Sequence, residues 1–231
     1  MPNRNSEQIM EDDTHYDIST CSFEEFVDFL FGHDVIPVPS ESGDPVPWYW
    51  MAEVEFDPLL VAGHYIRLFT SPEFLVGRFS GEQLEQGFRA IQSCNLECSV
   101  DELIWDHRVP RDIRESCVRS MEELFGRLFA VCGLEESVDM WWDSLAYDWH
   151  CCFRNRCSGG EDCLMQDVMF ETLGKILTQP FVKCQRSALH GLGHLHHPGT
   201  AQLIRDYLAR NPEIGAELRD YALAAARFDV Q

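Results

Sequence analysis

The sequence predicts an all-α fold, and three observations lead to this prediction. Serines that can cap a helix stand three positions before Glu or Gln at Ser22, Ser80 and Ser99. The alternating pattern of strands is nearly absent, and only 54–56 and 35–38 suggest extended chain. Apolar residues recur with a period of 3.6 over long stretches, for example at 164, 165, 168, 169, 173, 176 and 177.

The N-terminal half is predicted to begin with a flexible acidic segment, 1–20, that lacks the basic start and apolar region of a signal peptide. A first helix follows Ser22. The stretch 36–47 contains four prolines and is predicted to be a loop. Asp57 and Pro58 are expected to open a helix that runs through Leu68. A long helix is expected over 111–132.

The C-terminal half is predicted to contain five more helices. The first carries an aromatic stripe that is expected to be core, formed by Val138, Trp141, Trp142, Leu145, Trp149, Cys152 and Phe153. Next come helices over 164–177 and 181–195, separated by Pro180. Thr200 is expected to cap the fourth of these helices, and Asn211-Pro212 to cap and open the fifth.

Two of these helices share a loose sequence pattern. Arg186, Ala188, Leu189, Leu192 and Gly193 form Arg-x-Ala-Leu-x-x-Leu-Gly, and Arg219, Ala222 and Leu223 repeat part of it after 33 to 34 positions. The pattern resembles that of HEAT-type repeats and covers 163–231. The resemblance implies antiparallel helix pairs stacked as a short HEAT-like α-solenoid that binds other macromolecules without chemistry of its own. A more irregular helical part over 21–162, strongly acidic, would precede it in one continuous domain.

Charge is the most unusual feature of the composition. The 231 residues include 39 Asp and Glu but 18 Lys and Arg, a net charge of −21. Residues 1–172 hold 34 of the acidic and 11 of the basic side chains, whereas 173–231 hold 5 and 7. The negative electrostatic field of such a chain repels nucleic acids and anionic membranes and attracts a basic protein. The alternative is a layer of solubilising carboxylates on helix surfaces, because the charges are scattered rather than gathered in one run.

The cysteine content and the hydropathy of the sequence predict the cellular compartment of the protein. No apolar run approaches the roughly 18 residues of a membrane span. With no secretory signal, the ten cysteines predict a reduced, cytoplasmic protein. No Cys-x-x-Cys occurs, and the gaps between Cys151, Cys152, Cys157 and Cys163 match no standard zinc knuckle.

A histidine cluster is the best candidate for chemistry. His190 and His194 lie one helical turn apart and are weak candidates for metal ligands. A helical projection places Lys183, Arg186, His190, His194 and His197 on one face, which we expect to point away from the core into a groove. The sequence offers no third ligand, since His-Gly-Leu-Gly-His lacks the Glu of metalloproteases. We therefore expect no catalytic constellation, no enzymatic activity and no cofactor.

Three functions remain open from the sequence. The first is an acidic module that binds a basic protein, for example a bacterial immunity protein that neutralises a nuclease-like toxin. Trp48 and Trp50 would anchor that partner, and Glu122 and Glu123 would attract it. The second is a HEAT-like adaptor whose groove, lined by Lys183, Arg186, His190 and His194, holds a peptide or subunit. The third is a metal-binding protein that uses the cluster over 190–197.

Overall fold

The computed structural model describes residues 14–36 and 46–230, which fold into ten α-helices and one two-stranded sheet. Helix accounts for 64% of the described residues, which confirms the all-α prediction. Within these ranges, no helix has both the length and the apolar character needed to cross a bilayer.

The elements follow one another in a simple order. The strands are β1 (His15–Asp17) and β2 (Glu53–Glu55). The helices of the N-terminal half are α1 (Phe23–Phe31), α2 (Pro58–Thr70), α3 (Gly81–Ile91), α4 (Val100–Leu103) and α5 (Arg111–Leu124). The helices of the C-terminal half are α6 (Glu135–His150), α7 (Glu161–Leu177), α8 (Val182–Leu195), α9 (Thr200–Arg210) and α10 (Ala216–Ala225). Short 3₁₀ turns lie at Trp48–Trp50, Pro72–Leu75 and Arg156–Ser158.

The small sheet corrects the prediction of a flexible segment over 1–20. β1 pairs in parallel with β2, with Tyr16 opposite Val54. Val54 is buried while its neighbours on β2 are exposed, which is the alternation of a strand with one covered face. Residues 1–13 of the predicted segment, and 37–45 of the predicted proline-rich loop, lie outside the described residues.

The predicted helix starts in the N-terminal half are confirmed where local hydrogen bonding determines them. Ser22 and Ser80 each form a complete capping box, with Glu25 and Gln83 respectively. The Asp57 side chain accepts a hydrogen bond from the Leu60 amide at 2.9 Å and caps α2. Each cap pairs an amide that the first helical turn would otherwise leave without a partner.

The predicted helix over 111–132 is shorter than expected. Regular α-helix ends at Leu124, and Phe125–Phe129 form one wider π-helical turn. There the Ala130 amide donates to the Phe125 carbonyl, five residues earlier, at 2.9 Å. The wider turn keeps Phe125, Leu128 and Phe129 buried together against Trp141 of α6.

Three helix ends in the C-terminal half also differ from the prediction. α6 ends at His150 because Cys152 adopts a left-handed conformation (φ 62°), so Cys152 and Phe153 leave the aromatic stripe and are exposed. Thr200 does not cap α9 but is its first residue, and its hydroxyl points inward to the Leu192 carbonyl. α10 begins at Ala216, after Gly215, rather than at Asn211-Pro212.

Helix α8 is the central element of the C-terminal half. It packs most extensively against α6 and also contacts α7, α9 and α10. Leu189 and Leu192 are completely buried, whereas Leu223, the counterpart of Leu189 in the loose repeat, is 42% exposed. The described structure therefore places α8 inside the molecule, and its histidine face, predicted to point into an open groove, is covered.

Asp101 makes stability depend on pH. Burial, together with the charges of Glu102 and Asp148, raises the pKa of Asp101 from 3.8 to about 7, while Arg154 acts in the opposite direction. The folded state holds the proton of Asp101 more tightly than the unfolded chain does. The contribution of Asp101 to stability is therefore greatest below the unfolded pKa, and it is lost as the pH rises through about 7. This increase in pKa corresponds to at most about 4 kcal/mol of stability, and the partial exposure of Asp101 reduces that value.

We expect Asp101→Asn to raise the free energy of unfolding at pH 8 by about 1 to 2 kcal/mol and to leave it nearly unchanged at pH 4. Urea unfolding at the two pH values measures the difference. Asp112→Asn, on the exposed start of α5, is the control and should show no such pH dependence. An equal effect of Asp101→Asn at both pH values would contradict this account.

Candidate functional site

Asp143 of α6 and His190 and His194 of α8 form the candidate site. The His190 Nε2 atom lies 2.5 Å from Asp143 Oδ1, the His194 Nε2 atom lies 3.3 Å from the same oxygen, and the two imidazole nitrogens are 3.0 Å apart. Among the described residues, this is the only group of three or more His, Cys, Asp or Glu side chains whose ligand atoms all lie within 4.8 Å of one another.

Local structure explains how the three side chains meet. His190 and His194 are one turn apart on α8 and therefore face the same neighbouring helix. Gly191 lies between them, and a Cβ atom there would come within 2.7 Å of Trp142 and 2.8 Å of Leu173. The glycine thus lets α8 approach α6 closely, which brings both imidazoles to Asp143, the residue next to Trp142.

Tyr221 of α10 orients His190 from the opposite side. Its hydroxyl lies 2.6 Å from His190 Nδ1, so the two ring nitrogens of His190 face Tyr221 and Asp143. Burial raises the pKa of Tyr221, which keeps the hydroxyl protonated at neutral pH. A second partner of this kind fixes the ring orientation, as the outer hydrogen bonds of metal-binding histidines do.

The site is largely buried, and Asp143 contributes a carboxylate to it. His194 is 3% exposed and His190 8%. Burial acts to raise the pKa of Asp143, but the hydrogen bonds from His190 and His194 outweigh it and hold that pKa below its ordinary value. Asp139, one turn before Asp143 on α6, lines the same cavity as His190 and adds a second carboxylate. A cation is the charge that this arrangement favours.

Two further histidines extend the cluster beyond His194. The ring centroid of His150 lies 5.0 Å from that of His194 and 5.2 Å from that of His196. One nitrogen in each of these three rings is buried and has no hydrogen-bond partner among the described residues: Nδ1 in His150 and His194, and Nε2 in His196. His196 ends α8 in a left-handed conformation (φ 51°), and burial lowers its pKa.

The geometry is close to what a transition-metal ion requires. A tetrahedral ion with bonds of roughly 2.0–2.1 Å to nitrogen and oxygen holds its ligand atoms about 3.3 Å apart. The three contacts here measure 2.5, 3.0 and 3.3 Å. Separating His190 from Asp143 by less than about 1 Å would therefore make room for the ion. Two imidazoles and one carboxylate suit zinc and iron(II).

This geometry corrects two sequence predictions. The face of α8 that carries His190 and His194 does not point away from the core, because α6 covers it. A third candidate ligand, Asp143, is also present, and it comes from α6 rather than from α8 itself. His197, predicted on the same face, turns instead to Asp167 of α7, with its Nε2 atom 2.9 Å from Asp167 Oδ1.

The predicted partner-binding residues are not gathered in one place. Trp48 is half-buried and stacks on His33 with ring centroids 3.9 Å apart, whereas Trp50 is 41% exposed. Glu122 is paired with Lys175 at 2.8 Å, and Glu123 with Arg127 at 2.5 Å. Of the remaining predicted residues, Lys183 donates to the Cys132 carbonyl, and Arg186 is exposed beside Tyr221.

The second candidate cluster of the sequence, around the cysteines that follow α6, does not form a metal site among the described residues. Cys151, Cys152 and Cys157 are exposed, and the Cys163 thiol donates to the Arg156 carbonyl at 3.2 Å. Cys152 therefore does not belong to the core, although the helical pattern places it there.

Comparison with known proteins identifies no relative of this chain. No protein-family model, curated protein or solved structure matches the chain.

Proposed function

We propose that the protein binds one divalent transition-metal ion through Asp143, His190 and His194. The observation that carries this proposal is the convergence of three candidate ligand atoms, one of them a carboxylate oxygen, within 4.8 Å of one another in a largely buried position. In this position an ion would be shared by Asp143 Oδ1 and the two imidazole nitrogens that lie beside it.

The surrounding residues would support the ion in definite ways. His190 would bind it through Nε2 while its Nδ1–H donates to the Tyr221 hydroxyl, which holds the ring in place. Asp143 would supply the single negative charge among the ligands, and Asp139 would add attraction at longer range. A divalent ion held by three protein ligands keeps an open position for water or another ligand.

A zinc titration tests this proposal. We expect isothermal titration calorimetry of the metal-free protein to give one zinc ion per chain, bound by the native state. At a free zinc concentration one hundred times the dissociation constant, the free energy of unfolding should rise by about 2.7 kcal/mol.

Exposed thiols bind zinc as well, so the titration requires a suitable background. Cys94, Cys151, Cys152 and Cys157 are exposed and should be changed to serine in both the parent and the test variant. His190→Gln in that background should abolish the calorimetric signal. If the background variant binds no zinc, cobalt or iron(II), or if His190→Gln binds zinc as tightly, the proposal fails.

A second candidate function is the binding of a basic protein, and the surface around β2 favours it. Trp50 and Met51 are 41% and 63% exposed, and the exposed Glu53 and Glu55 lie shortly after them in the chain, on β2. Neither carboxylate forms an ion pair within the described residues. An exposed aromatic beside unpaired acids is a fitting anchor for a basic partner, such as a nuclease-like toxin neutralised by an immunity protein.

Salt dependence tests this second function once a partner is isolated by pull-down from the native source. Raising the ionic strength from about 50 to about 500 mM shortens the screening length from roughly 14 to roughly 4 Å. We expect the association rate to fall at least about tenfold and the dissociation rate to change much less. An acidic partner, or an association rate that salt does not affect, would contradict this function and favour an adaptor.

The HEAT-like arrangement of the last four helices is part of the adaptor alternative. In its support, α7 packs on α8, α9 packs on α10, and α8 joins the two pairs through α10. The groove of such an array would bind a peptide or subunit. An experimental structure in which either pair is not antiparallel would contradict the arrangement.

A further inference from the structure

An open cavity lies between α8 and the start of α10, next to the candidate metal site. Its volume is about 590 Å³, within the range of pockets that hold small molecules. Val182 on one side and Ile214 and Leu218 on the other give it apolar walls, and Tyr221 forms its inner end. The cavity therefore offers burial to the apolar part of a ligand.

The cavity leads towards His190. A second space of about 180 Å³ is lined by Asp139, Ser187 and His190. Arg186 and Tyr221 line both spaces, so the two adjoin at these side chains. A ligand bound along α8 would have one end at Arg186, one helical turn from His190.

Charged side chains of both signs line the cavity, and none of them forms an ion pair among the described residues. Arg186 forms no ion pair with any described carboxylate, and its guanidinium lies 5.7 Å from the centre of the Tyr221 ring. Glu213 and Glu217, at the start of α10, line the opposite wall, and neither forms an ion pair among the described residues. Arg186 would repel a cation, and the two glutamates would repel an anion, so a ligand with a single charge satisfies only one wall.

We propose that this cavity binds an apolar amino acid or short peptide with free termini, with its carboxylate on Arg186 and its ammonium group on Glu213 and Glu217. A guanidinium binds a carboxylate through two parallel hydrogen bonds, which fixes the orientation of the ligand. The carboxylate end would then lie towards His190. An increase in affinity when zinc is bound rests on the proposed function, whereas recognition by the three charged residues does not.

Calorimetry with the dipeptide Leu-Leu tests the proposal, with the metal-free and the zinc-loaded protein. We expect Leu-Leu to bind both forms, and the zinc-loaded form more tightly. N-acetyl-Leu-Leu and Leu-Leu amide, which each lack one terminal charge, should bind at least tenfold more weakly. Arg186→Gln should weaken Leu-Leu binding at least tenfold, while Arg205→Gln on the exposed surface of α9 should not.

The outcomes separate this proposal from the metal proposal. Zinc binding without Leu-Leu binding would overturn the assignment of the cavity alone. Leu-Leu binding to a protein that takes up no metal would overturn the metal proposal and leave the cavity assignment standing. Equal binding of Leu-Leu and its two blocked forms, or no effect of Arg186→Gln, would overturn recognition by the charged walls.

Discussion

Leu192→Asp should unfold the C-terminal half or destabilise it by about 4 kcal/mol or more. The leucine is fully buried in the central helix α8, so the substitution both empties a packed site and places an unpaired carboxylate in it. Few single changes cost this much, and burial of an unpaired charge is one of the mechanisms that do. Thermal unfolding followed by circular dichroism measures the loss.

The chain contains a matched control for this substitution. Leu223 is the same residue type, also on a helix near the C-terminus, but it is 42% exposed. Leu223→Asp should therefore change the free energy of unfolding by less than about 1 kcal/mol. Equal melting of the two variants would mean that the assigned packing of α8 is wrong.

His194→Gln should lower the affinity for zinc at least about a hundredfold, which corresponds to about 2.7 kcal/mol of binding free energy. The ring is 3% exposed and its Nε2 atom faces both Asp143 and His190, so the substitution removes one of the three proposed ligands. The change should be measured by competition with a chromophoric chelator, in the background without the four exposed cysteines.

His197→Gln is the control for this loss. His197 lies three positions further along and is hydrogen-bonded to Asp167, away from Asp143. Its replacement should change zinc affinity by less than about threefold. A hundredfold loss in both variants would point to a general disturbance of α8 rather than to ligation by His194.

Much of the fold could be predicted because its signals are local. The capping boxes at Ser22 and Ser80 and the aspartate and proline that open α2 act within one helical turn, and the structure confirms them. The ends of α5 and α6 could not be predicted in the same way. They depend on how Phe125, Phe129 and Trp141 share the core and on the left-handed residue at Cys152.

The candidate site could likewise be predicted only where its signals are local. The i, i+4 spacing of His190 and His194 is visible in the sequence and suggests ligands. Asp143 lies 47 residues before His190, in a chain with 39 acidic residues, so nothing distinguishes it until α6 packs on α8. The orientation of the histidine face was predicted wrongly because the repeat pattern suggested an open groove, whereas α6 covers it.

The position of the metal is the most direct test of the central claim. Crystals of the zinc-loaded variant without the four exposed cysteines should be measured on both sides of the zinc absorption edge, and an anomalous difference map should be calculated. We expect one strong peak per chain, roughly 2.0–2.2 Å from Asp143 Oδ1 and from the Nε2 atoms of His190 and His194. A peak only at another position, or no peak between α6 and α8, would contradict the account.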